Sequence, residues 1–563
     1  MRTCYRCGHS FKGDICSNCG WFYKSFAALR AEANAGNVES QALLGVMYLM
    51  GTVVKRDFKE SALWFRKAVE QGHVMATTYL AMFYMNGQGV KQNDAEAFKW
   101  FEKNAMRGDS FAQNMLGDFY FDGLGDVEQN LEEAAKWYRK AALQGQADAE
   151  RNLGMCYKEG DGVEQDSAEA LKWLKEAAME GDAEAQFHIG DIYLHGIGNV
   201  EENSKEAVVW YKKAAQQDHD DALRALGICY MYGRGVEQNG AEALKWLKRA
   251  AAQDDESALY LIANLYEKGF DGREPDVEEA VKWLRKSAEL GDVEAQSRLG
   301  TYLVYGHGVK ENIEEAFKWF MKAAKQGDAE AQCYVGRFYL SGEGGVKKDH
   351  KKAVAWLKEA ADQDNGIAQL ALGECYFYGL GVEQDYNEAF RLLKSVADRG
   401  EAEAQFYVGD FYYKGLGDVK QNYREAVKWY RKAADQGDVD GQRLMGSCYH
   451  LGRGVKKDFS KAFEWWEKAA KQDDSLAQCF AGIYFLYGMG NVDEDHEMAA
   501  AWFRESANQG FAEAQYQLGK CYLYGIGLDE DKKEAARWFK LAAEQGYEVA
   551  KKDLESLRGE GEE

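Results

Sequence analysis

The stretch Ala185-Gln186-Phe187-His188-Ile189-Gly190-Asp191-Ile192-Tyr193-Leu194-His195-Gly196 decides the fold of this 563-residue chain. Its apolar side chains recur at the spacing of one helical face, and it ends at a glycine. A short turn then leads to a second apolar stretch that carries Trp210. The segment therefore predicts a hairpin of two α-helices, which we call the first helix and the second helix.

The same hairpin recurs along the chain, and we follow it by the residue that corresponds to Gly190, called here the marker. Successive markers are 36 or 37 residues apart, a period typical of stacked helical hairpins. The sequence therefore predicts fourteen repeats. The markers are glycine at 45, 117, 154, 190, 227, 300, 336, 373, 409, 446, 482 and 519, and alanine at 81 and 263.

The recurring positions of the hairpin have recognisable physical roles. The small marker lets two helices approach closely, and we expect the second-helix tryptophan, which only Leu392 replaces, to fill the space between hairpins. A glycine six residues after the marker should end the first helix. Asp or Asn before the second helix, followed three residues later by Glu in eleven repeats, predicts a capping box.

The combined pattern resembles a known repeat family. Ala-x-x-x-Leu-Gly-x-x-Tyr-x-x-Gly-x-Gly, followed by Asp-x-x-x-Ala-x-x-Trp-x-x-x-Ala-Ala, is similar to the Sel1-like repeat, a relative of the tetratricopeptide repeat. The resemblance implies an all-α, right-handed superhelical solenoid of about fourteen hairpins. We expect a capping helix at 25–36, fourteen repeats at 37–546, and a capping helix with an acidic tail at 547–563.

Alternate linkers differ by one residue, so the full period is a pair of repeats, about 73 residues. Five cysteines follow this double period, each two residues after a marker: Cys156, Cys229, Cys375, Cys448 and Cys521. With Cys333 and Cys479 they make an odd set on faces predicted to be buried. This arrangement favours reduced thiols over a disulfide framework.

The N-terminal residues 1–24 contain two C-x-x-C pairs separated by eight residues: Cys4, Cys7, Cys16 and Cys19. Four thiolates form a tetrahedral structural zinc site, which also stabilises a segment too short to fold alone. The segment resembles the short zinc ribbons of bacterial proteins and predicts one bound Zn²⁺. Redox use of one pair is an alternative that lacks a thioredoxin-like strand–helix context, and His9 could replace one ligand.

Composition excludes several classes of protein. A net charge of -23 argues against a body that binds nucleic acid, because phosphate neutralisation needs clustered Lys and Arg. The N-terminus has no apolar signal region, and no stretch approaches the roughly 20 apolar residues of a membrane span. We therefore expect a cytoplasmic protein that makes no membrane contact.

One side of the first helix varies from repeat to repeat while the marker side hardly changes. It holds the positions six and two residues before the marker and one and five residues after it, and we call it the first-helix face. By resemblance to tetratricopeptide arrays, we expect it to form a concave groove for a protein or peptide partner. The candidate contact residues are Met75, Tyr79, Met82, Phe111, Met115, Arg337, Leu476, Phe480, Ile483, Tyr487 and Tyr524.

Other interpretations of this face stay open. Curvature of the array could bury the apolar candidates against neighbouring repeats. Arginines on or next to the face could clamp carboxylates or pair with the acidic surface: Arg151, Arg224, Arg298, Arg337 and Arg443. His188, Asp191 and His195 share the face and could hold a metal, although no fourth ligand is evident.

The favoured function is a non-enzymatic scaffold, because no set of nucleophile, base and orienting residue recurs along the array. A hydrolase of the cysteine-rich Sel1 type, a group linked to β-lactam binding, is one alternative, but its paired cysteines and a Ser-x-x-Lys site are missing. A regulator that contacts nucleic acid through the locally basic ribbon, which carries Arg2, Arg6, Lys12 and Lys24, is another.

Overall fold

The computed structural model describes residues 2–3, 10–11, 26–51 and 53–559 of the chain. Near the N-terminus, strands β1 (Arg2–Thr3) and β2 (Ser10–Phe11) pair antiparallel, with Arg2 opposite Phe11. The four cysteines of the expected zinc ribbon (Cys4, Cys7, Cys16 and Cys19) lie outside the described residues. The zinc site therefore stays a prediction.

The chain divides into two compact units, residues 1–290 and 291–563. The first unit contains one leading helix and seven helical hairpins. Its helices are α1 (Phe26–Asn34), α2 (Val38–Met50), α3 (Phe58–Glu70), α4 (Val74–Asn86), α5 (Asp94–Ala105), α6 (Ser110–Asp122), α7 (Leu131–Ala142), α8 (Ala147–Glu159), α9 (Ser167–Met179), α10 (Ala183–His195), α11 (Ser204–Gln216), α12 (Asp220–Tyr232), α13 (Gly240–Ala251), α14 (Glu256–Lys268) and α15 (Val277–Leu290).

The second unit contains seven hairpins and one closing helix. Its helices are α16 (Val293–Tyr305), α17 (Ile313–Lys325), α18 (Ala329–Ser341), α19 (His350–Asp362), α20 (Gly366–Tyr378), α21 (Tyr386–Asp398), α22 (Ala402–Lys414), α23 (Tyr423–Asp435), α24 (Val439–Leu451), α25 (Phe459–Ala470), α26 (Ser475–Tyr487), α27 (His496–Asn508), α28 (Ala512–Tyr524), α29 (Lys532–Glu544) and α30 (Glu548–Gly559). Even-numbered helices from α2 to α28 are first helices, so the prediction of fourteen hairpins is confirmed.

Glycine ends the first helix as predicted, with one exception. In thirteen repeats it has φ between 56° and 88° in the left-handed region, and its N–H donates to a carbonyl of the last turn. Gly269 instead has ψ of 164° and precedes the linker that contains Pro275, the chain's one proline. In that linker Asp271 accepts from the backbone N–H groups of Gly240 and Ala241, at 2.9 and 2.7 Å.

The predicted capping box forms only in part. Asn203, before α11, accepts a hydrogen bond from the N–H of Glu206 at 3.1 Å. The N–H of Asn203, however, donates to the carbonyl of Tyr193 at 2.7 Å rather than to the glutamate. Glu206 lies one turn before Trp210 and accepts its indole N–H at 2.9 Å. The prediction was wrong for the glutamate because the first helix supplies the acceptor.

Tryptophan packs between repeats, as predicted, and the residue after it fills the hairpin. Trp210 joins a buried cluster with Leu174 of the preceding second helix. A Cβ atom on Gly190 would lie 2.5 Å from the ring of Tyr211, so only glycine fits this ring against the helix. Alanine takes the marker position at 81 and 263. The marker therefore sets the distance between the two helices of a hairpin.

The seven cysteines of the array are buried and free, which confirms the prediction of unpaired thiols for this part of the chain. Burial raises the pKa of Cys156 and Cys448 to about 12 and that of Cys229 to about 11. Thiols with a raised pKa carry little thiolate at neutral pH, so they act as small apolar groups of the core.

Candidate partner-binding surface

First helices of neighbouring repeats come close to one another within each unit, as α2 with α4, α12 with α14 and α18 with α20 do. The first-helix faces of successive repeats are therefore adjacent. The face is most open at its two edges, which hold the positions six residues before and five residues after the marker; Ile367 and Tyr378 are examples. Its middle positions, two before and one after the marker, are mostly half-buried.

The predicted contact residues of the first unit belong largely to the core. Tyr79 stacks on Phe65 with ring centroids 5.1 Å apart, and Phe111 packs on Phe101 at 6.4 Å. Met82 and Met115 are half-buried against the same cluster as Phe101. Of this group, only Met75 is exposed, at 44%. The other four are half-buried, so the alternative interpretation, burial against neighbouring repeats, applies to them in part.

The predicted residues of the second unit divide into two kinds. Phe480 stacks on Trp466 at 4.2 Å, and Ile483 packs against the cluster around Phe503. Leu476 is half-buried. Tyr487 and Tyr524, at the last residues of α26 and α28, are 62% and 64% exposed. These two tyrosines are the apolar candidates of this unit that a partner could reach without disturbing the core.

Further exposed apolar residues of the face were missed by the sequence analysis. Tyr232, Tyr305, Tyr378 and Leu451 each end a first helix, five residues after a marker, and each is more than half exposed. Together with Tyr524 they are spaced by 73 residues, the length of the paired repeat. Combining that period with the position five residues after the marker would have identified them.

Most of the candidate arginines pair within the protein, and three of them, Arg151, Arg224 and Arg443, stand three residues before a marker, next to the first-helix face. Three of them bind the carboxylate that caps the next first helix: Arg151 with Asp182 at 2.6 Å, Arg224 with Asp255 at 2.5 Å and Arg443 with Asp474 at 3.1 Å. Arg298 lies over the ring of Tyr302 at 5.9 Å. The first three side chains join neighbouring repeats, and all four guanidinium groups are already engaged.

Arg337, on α18, differs from the other four. It is exposed and has no hydrogen bond or ion pair within the described residues. It lines a pocket of about 170 Å³ together with Val304, Tyr305, Tyr334, Phe338, Ser341 and Glu343. The hydroxyl oxygens of Tyr305 and Tyr334 are 3.5 Å apart there. Arg337 thus presents, beside a pocket, a guanidinium group that has no hydrogen bond or ion pair within the described residues.

Aspartates at the middle of the face serve the fold. The hydroxyl of Tyr138 donates to Asp118 at 2.8 Å, and the amide of Asn152 donates to the same carboxyl oxygen at 3.2 Å. Burial raises the pKa of Asp118 to about 6, against the opposing effect of the Tyr138 hydrogen bond. The same pair recurs as Asp191 with Tyr211 and as Asp410 with Tyr430, both at 2.7 Å.

The metal hypothesis for His188, Asp191 and His195 is not supported. His188 pairs with Glu184 at 3.0 Å, whose second oxygen pairs with His219 at 3.0 Å. Asp191 is occupied by Tyr211. Nowhere in residues 26–51 or 53–559 do three or more His, Cys, Asp or Glu side chains form a group that could hold a metal ion. Burial lowers the pKa of His188, which favours the neutral imidazole.

No helix in the described part of the chain combines the length and the apolar character that crossing a bilayer requires.

Comparisons with known proteins agree with the hairpin pattern. The Sel1 repeat model matches fourteen consecutive segments, 38–73, 74–109, 110–146, 147–182, 183–219, 220–255, 256–292, 293–328, 329–365, 366–401, 402–438, 439–474, 475–511 and 512–547. None of the curated proteins matches the chain.

Solved structures similar to the chain include the following two. A protective antigen with an SLR fold from uropathogenic Escherichia coli is 27% identical, with a TM-score of 0.51 over 94% of this chain and 97% of that one. A Sel1 repeat protein from Oxalobacter formigenes is 36% identical over 56% of this chain and 90% of that one, with a TM-score of 0.44. Because the repeat model matches all fourteen of the described hairpins, the chain belongs to the Sel1 repeat family.

Proposed function

We propose that the protein is a non-enzymatic scaffold that binds partner proteins or peptides on the first-helix face. The observation that carries this proposal is the set of exposed apolar residues at the ends of first helices. In the second unit these are Tyr305, Tyr378, Leu451, Tyr487 and Tyr524, which are 53% to 68% exposed. Exposed aromatic and large apolar residues are enriched on surfaces that bind other proteins.

The outer surface of the second helices contrasts with this face. The residue before the tryptophan is usually Lys or Arg and pairs with a glutamate one turn earlier, as Lys428 does with Glu425 at 2.6 Å and Arg537 with Glu534 at 3.3 Å. Both partners are largely exposed, so these pairs contribute little to stability and keep the surface hydrated. The apolar contact area available to a partner in this unit is therefore concentrated on the first helices.

Substitution of Tyr487 and Tyr524 tests the proposal. We expect the double variant Tyr487→Ser/Tyr524→Ser to lose the proteins that co-purify with the wild-type chain from its source cell, while its melting temperature stays unchanged. The matched control is Leu143→Ser/Met179→Ser, because Leu143 and Met179 are 72% and 71% exposed at the ends of second helices. Loss of the same proteins from the control but not from the tyrosine variant would contradict the proposal.

A cytoplasmic location is part of the proposal. The seven buried free thiols of the array suit a reducing compartment, where unpaired cysteines are stable.

The N-terminal cysteines are proposed to bind one structural Zn²⁺, on the strength of their spacing. We expect about one zinc per purified chain by elemental analysis, and a loss of that zinc in Cys4→Ser/Cys7→Ser with the array still folded. Retention of full zinc content by this variant would refute the assignment.

A further inference from the structure

The tyrosine pair beside Arg337 recurs one paired repeat later with different neighbours. Tyr378 and Tyr407 occupy the positions of Tyr305 and Tyr334, 73 residues on, and their hydroxyl oxygens are 3.4 Å apart. This agrees with the 3.5 Å between the hydroxyls of the first pair. The two tyrosine pairs therefore give an internal comparison within the second unit.

In the later pair, a carboxylate of the protein itself accepts a hydrogen bond from a tyrosine hydroxyl. The hydroxyl of Tyr407 donates to Glu374 at 2.7 Å. In the earlier pair the residue equivalent to Glu374 is Thr301, whose hydroxyl donates to the carbonyl of Ser297 at 3.2 Å. No carboxylate of the described residues bonds to Tyr334. The earlier pair therefore lacks the acceptor that completes the later one.

The charge at the pocket changes in the same comparison. The residue equivalent to Arg337 is Asp410, which binds Tyr430 at 2.7 Å and also pairs with Lys414. Arg337 thus brings a positive charge and five N–H donors to the pocket. The tyrosine hydroxyls of the same pocket have no carboxylate of the described residues as their acceptor. A carboxylate can accept hydrogen bonds from a guanidinium group and from a phenol hydroxyl at the same time.

The pocket is preformed and small. Tyr334 stacks on the buried ring of Phe320, with centroids 4.3 Å apart and planes 12° from parallel, so its position is fixed by the core. Tyr305 forms the open side and is 68% exposed. A volume of about 170 Å³ admits one amino-acid side chain or one chain end rather than a helix. Glu343, also in the lining, carries a negative charge that opposes a bound carboxylate, so the positive charge of Arg337 has to outweigh it.

We propose that Tyr305, Tyr334 and Arg337 form a pocket for one carboxylate of a partner peptide, either its C-terminus or an Asp or Glu side chain. This inference rests on the proposed function, since it names the chemistry of a partner on the first-helix face. Arg337 binds the carboxylate, Tyr334 donates the hydrogen bond that Tyr407 gives to Glu374, and Tyr305 covers the adjoining residue of the peptide.

Capture of peptides by the intact, immobilised chain tests the pocket. The probes are three pools of random octapeptides: one with free C-termini, one with amidated C-termini, and one with amidated C-termini and no Asp or Glu. We expect the wild type to retain peptides from the first pool at least about tenfold more strongly than Arg337→Gln does, because a charge-assisted hydrogen bond is lost. If the wild type also retains the second pool, the bound group is the carboxylate of an Asp or Glu side chain. If it retains only the first pool, the bound group is the C-terminal carboxylate.

Two control variants separate the pocket from general effects. Arg424→Gln removes an exposed arginine of the second helix α23 and should bind like the wild type. Arg337→Lys keeps the positive charge but not the planar guanidinium group, so it should bind more strongly than Arg337→Gln and less strongly than the wild type. Each variant is accepted only with a wild-type melting temperature, and Arg337 makes no hydrogen bond or ion pair within the described residues whose loss should lower it.

Three results would overturn the proposal: equal retention by Arg337→Gln and the wild type, retention of the pool without carboxylates at the level of the first pool, or no retention by the wild type. Retention that survives Arg337→Gln but is lost in Tyr487→Ser/Tyr524→Ser would reject the carboxylate pocket and still support partner binding on the first-helix face.

Discussion

Asp118, Asp191 and Asp410 occupy a position that varies between repeats, yet each is held by a tyrosine of the second helix at 2.7 to 2.8 Å. Variation along the array therefore does not by itself mark a residue that meets a partner. At this position the aspartate and the tyrosine change together, because a tyrosine next to the marker needs an acceptor for its hydroxyl. In other repeats a leucine takes the place of this tyrosine, and it has no hydroxyl that needs an acceptor.

Asp118 should make stability depend on pH in a direction opposite to that of most aspartates. The pKa of Asp118 in the folded protein, about 6, lies above the ordinary value of 3.8. The contribution of Asp118 to the free energy of unfolding is therefore complete below about pH 4 and is lost as pH rises through about 6. We expect Asp118→Asn, which keeps an oxygen for Tyr138, to be more stable than the wild type at pH 7.5, by up to about 3 kcal/mol. At pH 4 the two should be equal in urea unfolding.

The nearby exposed Asp122 supplies the control for this measurement. Asp122→Asn should change the free energy of unfolding by less than about 0.5 kcal/mol at either pH. A loss of stability in Asp118→Asn at pH 7.5 would show that the charged carboxylate stabilises the fold and that its pKa is not raised.

Helices are joined by a column of buried glutamines four residues before the marker. In α22, Gln405 donates to the carbonyl of Ala397 in α21 at 3.2 Å and accepts from Gln436, which ends α23, at 3.0 Å. The same pair of bonds recurs at Gln442 with Ala434 and Gln472. One side chain thus links three consecutive helices and satisfies polar groups that the packing buries.

We expect Gln405→Ala to lower the free energy of unfolding by about 1–3 kcal/mol, because it leaves the Ala397 carbonyl without its side-chain donor. Amide hydrogen exchange should rise first in α21, α22 and α23. The control is Gln421→Ala: this exposed glutamine donates only to the carbonyl of Tyr413, at 3.0 Å. Equal destabilisation by both changes would mean that the buried column has no special role.

At the scale of the whole molecule, each unit is a series of hairpins with one extra helix at its outer end. Leu29 of α1 packs with Leu44 and Trp64, and Leu554 of α30 packs with Phe539. These helices cover the apolar sides of the first and last hairpins, as solenoids require. The hand of the superhelix and the concave form of the groove stay predictions.

The number and the bounds of the hairpins were predictable because each repeat carries its own start, stop and spacing residues, as Gly190, Gly196 and Asn203 illustrate. The accessibility of side chains on the first-helix face could not be predicted from the sequence, because it depends on residues of adjacent helices. Phe480 was predicted to meet a partner, and in the structure Trp466 stacks on it at 4.2 Å and it is half-buried. Which arginine is unpaired depends likewise on the caps of the next repeat.

Site-specific photo-crosslinking tests the central claim, that partners bind on the first-helix face, most directly. The photoreactive residue benzoylphenylalanine would replace Tyr378, Tyr487 or Tyr524 on first helices, and Lys428, Leu143 or Met179 on second helices, all of which are exposed. The account predicts crosslinks to the same partner from the three first-helix positions and none from the second helices. Crosslinks mainly from second-helix positions would contradict it.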